Sequence, residues 1–215
     1  MSAPVWIFDL DNTLHNTSAH IFPRIDAAMT DYVARTLGVD AVEADRLRTT
    51  YWRRYGATML GLVRHHGCDP HDFLQATHCM PDLAQLVVFE RAVRSIFRHL
   101  PGRKVVCSNG PQHYVDAVLT HMGLGCAFDD VFGIERMRLQ PKPLLPAFRH
   151  VLRRLGVAGA RCIMVEDSVD NLRAAKALGM RTVWITPLAG KPAWVDVKLR
   201  SVVQLPRAQA HLRLG

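Results

Sequence analysis

The 215-residue sequence predicts an α/β fold, a parallel sheet flanked by helices and interrupted once by an all-helical insertion. Three observations carry that prediction. Short β-branched runs bounded by turn residues alternate with helical patterns through most of the chain. Two of those runs end in acidic residues, WIFDLDNT at the N-terminus and MVEDS near residue 165. Between about residue 19 and residue 99 the alternation stops, and only helical periodicity is left.

The strands are read at residues 5–10, 104–107, 131–134, 162–165 and 182–185, with a sixth candidate at 201–205. The helical patterns between them cover 112–122, 144–155 and 171–178, the last stopped by Gly179. Strand–helix alternation of this kind implies βαβ units and a Rossmann-like parallel sheet, with ligands at the carboxyl ends of the strands. The insertion divides into helices at 21–37, 42–55, 58–65, 71–77 and 91–98. The expected organisation is therefore a core of residues 1–18 and 100–215 and a helical subdomain of residues 19–99.

Apolar residues make up 49% and charged residues 21% of the chain, values ordinary for a globular protein. No charged-then-apolar leader is read at the N-terminus, and no apolar run is long enough to span a bilayer, so a cytoplasmic location and no membrane partner are expected. The cysteines Cys68, Cys79, Cys107, Cys126 and Cys162 form no CxxC pair. Cys107 and Cys162 lie inside apolar runs, as reduced thiols behaving as small hydrophobes would. The net charge of +8 is uneven. Residues 1–135 hold 12 Lys and Arg against 15 Asp and Glu, whereas residues 136–215 hold 15 against 4. The arginines of the basic half are scattered along helical faces without interleaved aromatics, which argues against nucleic acid as the partner and for a field that draws small anions.

Asp9 and Asp11 point to the same side of an extended strand end. A pair of like charges there resists ionisation and asks for a compensating cation, although the motif alone equally suits two surface carboxylates on an Asp-Asn-Thr turn. An EF-hand loop does not fit, because Leu14 stands at the glycine position and His20 at the bidentate glutamate position. Glu166 and Asp167 bring further carboxylates to the same sheet edge, a donor set suited to Mg²⁺. Taken alone, those acids and Ser168 could equally start a helix. CSNG, with Ser108 and Asn109, puts a hydroxyl and backbone N–H groups before a helix, where an anionic oxygen fits, although by itself Ser-Asn-Gly reads as an ordinary turn. Lys142, set between prolines, could supply positive charge to a transferring phosphoryl group.

The ordered set Asp9-x-Asp11-x-Thr13, Ser108, Lys142 and Glu166-Asp167 resembles the four motifs of the haloacid dehalogenase superfamily. The resemblance implies that the insertion is a helical cap, that Asp9 is a nucleophile forming an aspartyl-phosphate, and that Asp11 is the general acid and base. It implies phosphoryl contacts from Thr13, Ser108, Asn109 and Lys142. Mg²⁺ would be held by Asp9, by the Asp11 carbonyl, by Asp167 and, through water, by Glu166, with Asp170 as an outer partner. Asp11 favours phosphate esters, since dehalogenases and phosphonate-cleaving members lack an aspartate at that position.

Within the insertion, Tyr51, Tyr55-Gly56 and Gly61-Leu62 are similar to the cap of the pyrimidine 5′-nucleotidase branch, as is Thr77-His78, although Cys79-Met80-Pro81-Asp82 departs from that branch. Tyr51, Tyr55 and His78 are thus the candidate substrate contacts, with packing of the two tyrosines as the plainer alternative. The histidines and cysteines of HHGCDPHDFLQATHC have intervals unlike those of zinc fingers or ribbons. The expected function is Mg²⁺-dependent hydrolysis of a small phosphorylated metabolite, a nucleoside 5′-monophosphate first. A sugar phosphomutase would keep the same motifs. A non-catalytic polyanion-binding protein would have no use for both Asp9 and Asp11. The sequence leaves monomer and homodimer equally open.

Overall fold

The computed structural model describes residues 3–208 and 212. Six parallel strands form one sheet: β1 (Val5–Phe8), β2 (Arg103–Cys107), β3 (Asp130–Phe132), β4 (Cys162–Glu166), β5 (Arg181–Ile185) and β6 (Val197–Leu199). Their order across the sheet is β3-β2-β1-β4-β5-β6. Every residue of β1 and β4 is buried, which explains why both read as continuous apolar runs with no alternation. From β1 the chain builds outward to β2 and β3, then returns and builds the other way from β4. The reversal leaves a crevice beyond the carboxyl ends of β1 and β4, the place where sheets of this order take ligands.

The chain divides into two compact units, Thr17–Leu86 and the remainder. Thr17–Leu86 is helical throughout, with α1 (Ile21–Leu37), α2 (Ala41–Tyr55), α3 (Thr58–His66), α4 (Pro70–His78) and the short α5 (Leu83–Leu86). Local chemistry marks their ends. Asp40 accepts from the Glu43 N–H at 2.9 Å to start α2, and Asp69 accepts from the His71 N–H at 2.7 Å to start α4, ahead of Pro70. Gly38, Gly56 and Gly67 take the left-handed conformation that stops α1, α2 and α3. Helix α1 packs on α2 and α4, where the Tyr32 hydroxyl donates to Asp72 at 2.8 Å. Burial and that carboxylate push the phenol up to about 12. Helices α2 and α3 approach so closely that a methyl group on Gly61 would lie 2.2 Å from the Tyr51 ring.

The remaining helices belong to the sheet unit: α6 (Val93–His99), α7 (Gln112–His121), α8 (Leu145–Leu155), α9 (Val169–Ala177) and the short α10 (Leu205–Ala208). Helix α8 is strongly amphipathic, burying Ala147, Phe148, Val151 and Leu155 and turning its arginines outward. Two expectations need correction. The sixth strand is Val197–Leu199 and not 201–205, because the Ser201 hydroxyl accepts from the Val203 N–H and turns that segment into a 3-10 helix, Val202–Gln204. The segment from Val87, including α6, groups with the sheet and not with the helical insertion. Its Phe97 ring lies 4.8 Å from that of Phe8 on β1 and 4.9 Å from that of Phe128.

Asp196, just before β6, ties that edge together. It accepts from Lys176 Nζ at 2.6 and 2.8 Å, from the Thr182 N–H at 2.8 Å and from the Thr182 hydroxyl at 3.1 Å. Burial alone would raise its carboxyl, but Lys176 and Thr182 outweigh it and hold the carboxyl below its usual range. A depressed carboxyl contributes stability above the unfolded value, and that stability is lost as pH falls through the folded value. Asp196→Asn should therefore cost on the order of 1 kcal/mol at pH 7. In urea titrations the gap to wild type should close below pH ~4. Gly61→Ala should cost about 1–3 kcal/mol by crowding Tyr51, read as a lowered urea midpoint.

Candidate active site

The end of β1 is fixed by its neighbour: the Asp9 N–H donates to the Val165 carbonyl at 2.9 Å and carries the ladder one residue past Phe8. The chain then turns sharply. Asn12 takes a positive φ of 58°, a conformation asparagine tolerates, and the Leu14 N–H returns to the Leu10 carbonyl at 2.9 Å. This turn buries Thr13 and His15 and leaves Asp11 partly exposed. Across the crevice β4 ends at Glu166. Asp167 follows, and Ser168 caps α9 through the Asn171 N–H. Ser108 follows β2, and the loop between β3 and α8 delivers Lys142.

Lys142 is the centre of the arrangement. Its side chain is 1% exposed, and its ammonium donates to Asp9 Oδ1 and to Glu166 Oε2, both at 2.7 Å. Burial works against that charge, but the two carboxylates prevail and hold the ammonium protonated far above the usual lysine value. Asn109 fixes the lysine backbone with both ends of its amide. Its Oδ1 accepts from the Lys142 N–H at 2.8 Å, and its Nδ2 donates to the Lys142 carbonyl at 2.9 Å. Expected as a phosphate contact, Asn109 is exposed, and its amide holds the lysine loop. Glu166 is also occupied. Oε2 takes Asn171 Nδ2 at 3.0 Å as well as Lys142, and Oε1 takes the Asp167 and Ser168 N–H groups at 3.2 and 3.1 Å.

One ammonium does not balance the acids around it. Asp9 is pushed up to about 7 by burial, then by the Glu166 carboxylate and, more weakly, by Asp11, against the pull of Lys142. Asp167 is pushed up to about 9 by burial and by the Asp9 and Glu166 carboxylates. Asp9, Glu166 and Asp167 each offer an oxygen within 4.8 Å of the others. A hard divalent cation fits such a set, all oxygen and short of positive charge. Because Glu166 already receives Lys142 and its own helix start, Asp9 and Asp167 are the acids best able to turn to a metal.

Asp11 sits in a different setting. Its Oδ1 accepts from the Tyr114 hydroxyl at 2.6 Å and faces His15 Nε2 at 3.1 Å, while Oδ2 faces the Ser108 hydroxyl at 3.4 Å. Ser108 is fully buried and its hydroxyl accepts from the Gly110 N–H at 3.0 Å. Among the described residues, the buried Thr13 hydroxyl has no hydrogen-bond partner, the state of a group waiting for an external oxygen. Asp170, at the start of α9, is exposed.

Sequence reasoning missed Tyr114, His15 and Asn171. His15 lies four residues after Asp11 and Asn171 five after Glu166, spacings that gain meaning only once the loop and helix are built. Tyr114, 103 residues from Asp11, gave no signal beyond an aromatic in the first turn after Ser108-Asn109-Gly110. Tyr51, Tyr55 and His78 lie in the helical unit. The Tyr51 ring is buried and stacked on His65 at 5.4 Å, with its hydroxyl 2.7 Å from His66 Nε2. The Tyr55 hydroxyl lies 2.6 Å from His65 Nε2, with Arg54 and Arg64 over its ring. His78 is buried, with Nδ1 2.8 Å from the Thr77 hydroxyl. The two tyrosines thus share one cluster with His65 and His66.

The profile of the haloacid dehalogenase-like hydrolases matches residues 5–179. The chain belongs to that family. This haloacid dehalogenase-like hydrolase is 27% identical over 193 residues to a phosphoglycolate phosphatase of Pseudomonas putida, covering 84% of the chain and 68% of that protein. It is 23% identical over 194 residues to phosphate metabolism protein 8 of Saccharomyces cerevisiae, covering 82% of the chain but only 59% of the yeast protein's length. The crystal structure of a HAD phosphatase from Thermococcus onnurineus superimposes with a TM-score of 0.68 at 21% identity, over 99% of this chain and 100% of that one.

The charge imbalance has measurable consequences. A carboxyl raised in the folded protein keeps its proton where the unfolded chain has lost it, so its contribution to stability falls as pH rises. Without divalent cations, Asp167→Asn should match wild type near pH 4 and become the more stable of the two through pH 7–9, followed by urea denaturation. Lys142→Met, which leaves Asp9 and Glu166 buried without their cation, should cost about 3–5 kcal/mol at pH 7 by the same measurement.

Proposed function

We propose that the protein is a phosphomonoesterase that hydrolyses a small phosphate ester through an aspartyl-phosphate on Asp9. The observation that carries this reading is the pairing of two differently held carboxylates at one strand end. Asp9 is buried against Lys142, and Asp11 is partly exposed and faces the Tyr114 and Ser108 hydroxyls and the His15 ring. One suits attack on phosphorus, the other proton exchange with solvent-facing atoms. In the first step an Asp9 oxygen bonds to phosphorus, the ester P–O bond breaks, and the proton carried by Asp11 passes to the departing alkoxide. In the second, water adds to phosphorus and gives a proton to Asp11, the Asp9–phosphorus bond breaks, and phosphate leaves. Lys142, Ser108 and the partnerless Thr13 hydroxyl hold the phosphoryl oxygens.

Asp9, Asp167 and the Asp11 carbonyl would hold Mg²⁺, with Glu166 behind them as the anchor of Lys142. When bound, that ion supplies the positive charge that offsets the acids and the transferring phosphoryl group. Family membership supports hydrolysis, and the relatives named as phosphatases support phosphate esters over halides, as does Asp11 itself. The helical unit, inserted just after the Asp11 turn, is assigned as the cap that selects the substrate. Its sequence resemblance places nucleoside 5′-monophosphates, pyrimidine ones first, among the candidates. The phosphoglycolate phosphatase relative adds small phosphorylated acids. Buried and stacked on His65, Tyr51 is better suited to shaping the cap than to stacking on a base, which leaves Tyr55 and His78 as the contacts to test.

Phosphate release should be measured over nucleoside monophosphates, 2-phosphoglycolate and sugar phosphates. Activity should require Mg²⁺, vanish in EDTA and in Asp9→Asn, and fall about 10²–10⁴-fold in Asp11→Asn. No release from any ester, or activity surviving in Asp9→Asn, would overturn the reading. Conversion of a sugar phosphate to its isomer with negligible phosphate release would replace it with a mutase. Independently of activity, saturating Mg²⁺ at about 100 times its Kd should stabilise wild type by about 2.7 kcal/mol. Asp167→Asn should show little of that gain.

A further inference from the structure

We infer that Tyr114 and His15 are positioning residues for Asp11, fixing which of its oxygens exchanges the proton. The inference rests on the phosphomonoesterase reading and deepens it. An aspartate carboxylate turns readily about its terminal torsion, so a proton donor at a partly exposed strand end needs to be held. Here two groups from different elements meet on the same atom. The Tyr114 hydroxyl, from the first turn of α7, lies 2.6 Å from Asp11 Oδ1, and His15 Nε2, from the turn after β1, lies 3.1 Å from it. With Oδ1 held by these two groups, Oδ2 is the oxygen that faces the Ser108 hydroxyl, at 3.4 Å, the group assigned above to the phosphoryl oxygens.

Both holders are themselves immobile. Tyr114 is 1% exposed and the His15 side chain is fully buried, whereas the Asp11 side chain retains 17% exposure. The tyrosine ring occupies space left by a glycine, since a Cβ on Gly110 would come within 2.8 Å of Tyr114 Cδ1. The glycine of Ser108-Asn109-Gly110 therefore admits the ring that holds Asp11. A buried phenol pointing at a carboxylate forms a charge-assisted bond, stronger than one between neutral groups. His15 Nε2 faces the same oxygen and holds it whenever that nitrogen carries a proton.

Protonation of the leaving group separates this role from a merely structural one. An alkoxide needs the Asp11 proton to depart; p-nitrophenolate does not. The ratio kcat/KM reports only the steps up to that departure, so Asp11's second task in releasing phosphate does not enter it. Tyr114→Phe should lower kcat/KM about 10- to 100-fold on an alkyl phosphate and no more than a few-fold on p-nitrophenyl phosphate. Asp11→Asn should show the same selectivity in stronger form. His15→Gln provides a second variant should Tyr114→Phe fail to fold, and thermal melts establish that each variant is folded. Equal losses on the two esters, or no loss on either, would overturn the positioning role while leaving the phosphomonoesterase reading intact. Wild type inactive on both esters would remove that reading and the inference together.

Discussion

Everything at the sheet's carboxyl edge depends on the Lys142 ammonium. It is buried between Asp9 and Glu166, and it is the single cation bonded to either acid among the described residues. A lysine so enclosed is stable only as part of the set, and the set is stable only with the lysine. The surrounding structure is arranged to keep it there. Asn109 grips its backbone from the end of β2, and Asn171 and two helix-start N–H groups hold Glu166 from α9. What the lysine does not do is neutralise the acids. Burial and the neighbouring carboxylates still push Asp9 and Asp167 up, and an all-oxygen set so short of positive charge suits a further cation.

The sheet order explains how this set comes together. Reversal at β1 and β4 sets two strand ends side by side, so both can deliver acids to one crevice. Neighbouring β2 supplies Ser108, and the long connection after β3 supplies Lys142. Asp9, Ser108 and Glu166 stand at or just past the ends of buried strands, positions fixed by backbone ladders, and the Lys142 loop is held by the Asn109 amide. Asp11 differs from the strand-end groups. It lies on a turn, and its orientation comes from two side chains instead.

Much of this was legible in the sequence. Helix α1 reads at 21–37 and forms there, because its apolar spacing and Gly38 agree. Strands β1, β2, β4 and β5 are legible because double-sided burial demands apolar, β-branched runs. Asp9, Ser108, Lys142, Glu166 and Asp167 are legible as an ordered set. What was hidden depends on distance or on tertiary choice. The short edge strand β6 is only half-buried and has no run to betray it. Helix α6 carries a helical pattern that says nothing of which unit it joins, and the Phe8–Phe97–Phe128 contacts decide that. The uses of Asn109 and Tyr114 follow from partners 33 and 103 residues away, and no local spacing encodes either.

The same remoteness bears on assembly. Asp9 and Lys142 are 133 residues apart, and Lys142 and Glu166 a further 24. The order of the sheet requires the chain to cross from β3 back past β1 before Glu166 reaches its place. Until about two thirds of the chain has been added, Asp9 stands at the end of β1 without the lysine that accommodates it. Formation of the lysine-carboxylate centre therefore records that β4 has taken its place beside β1, a long-range pairing of the kind that slows folding.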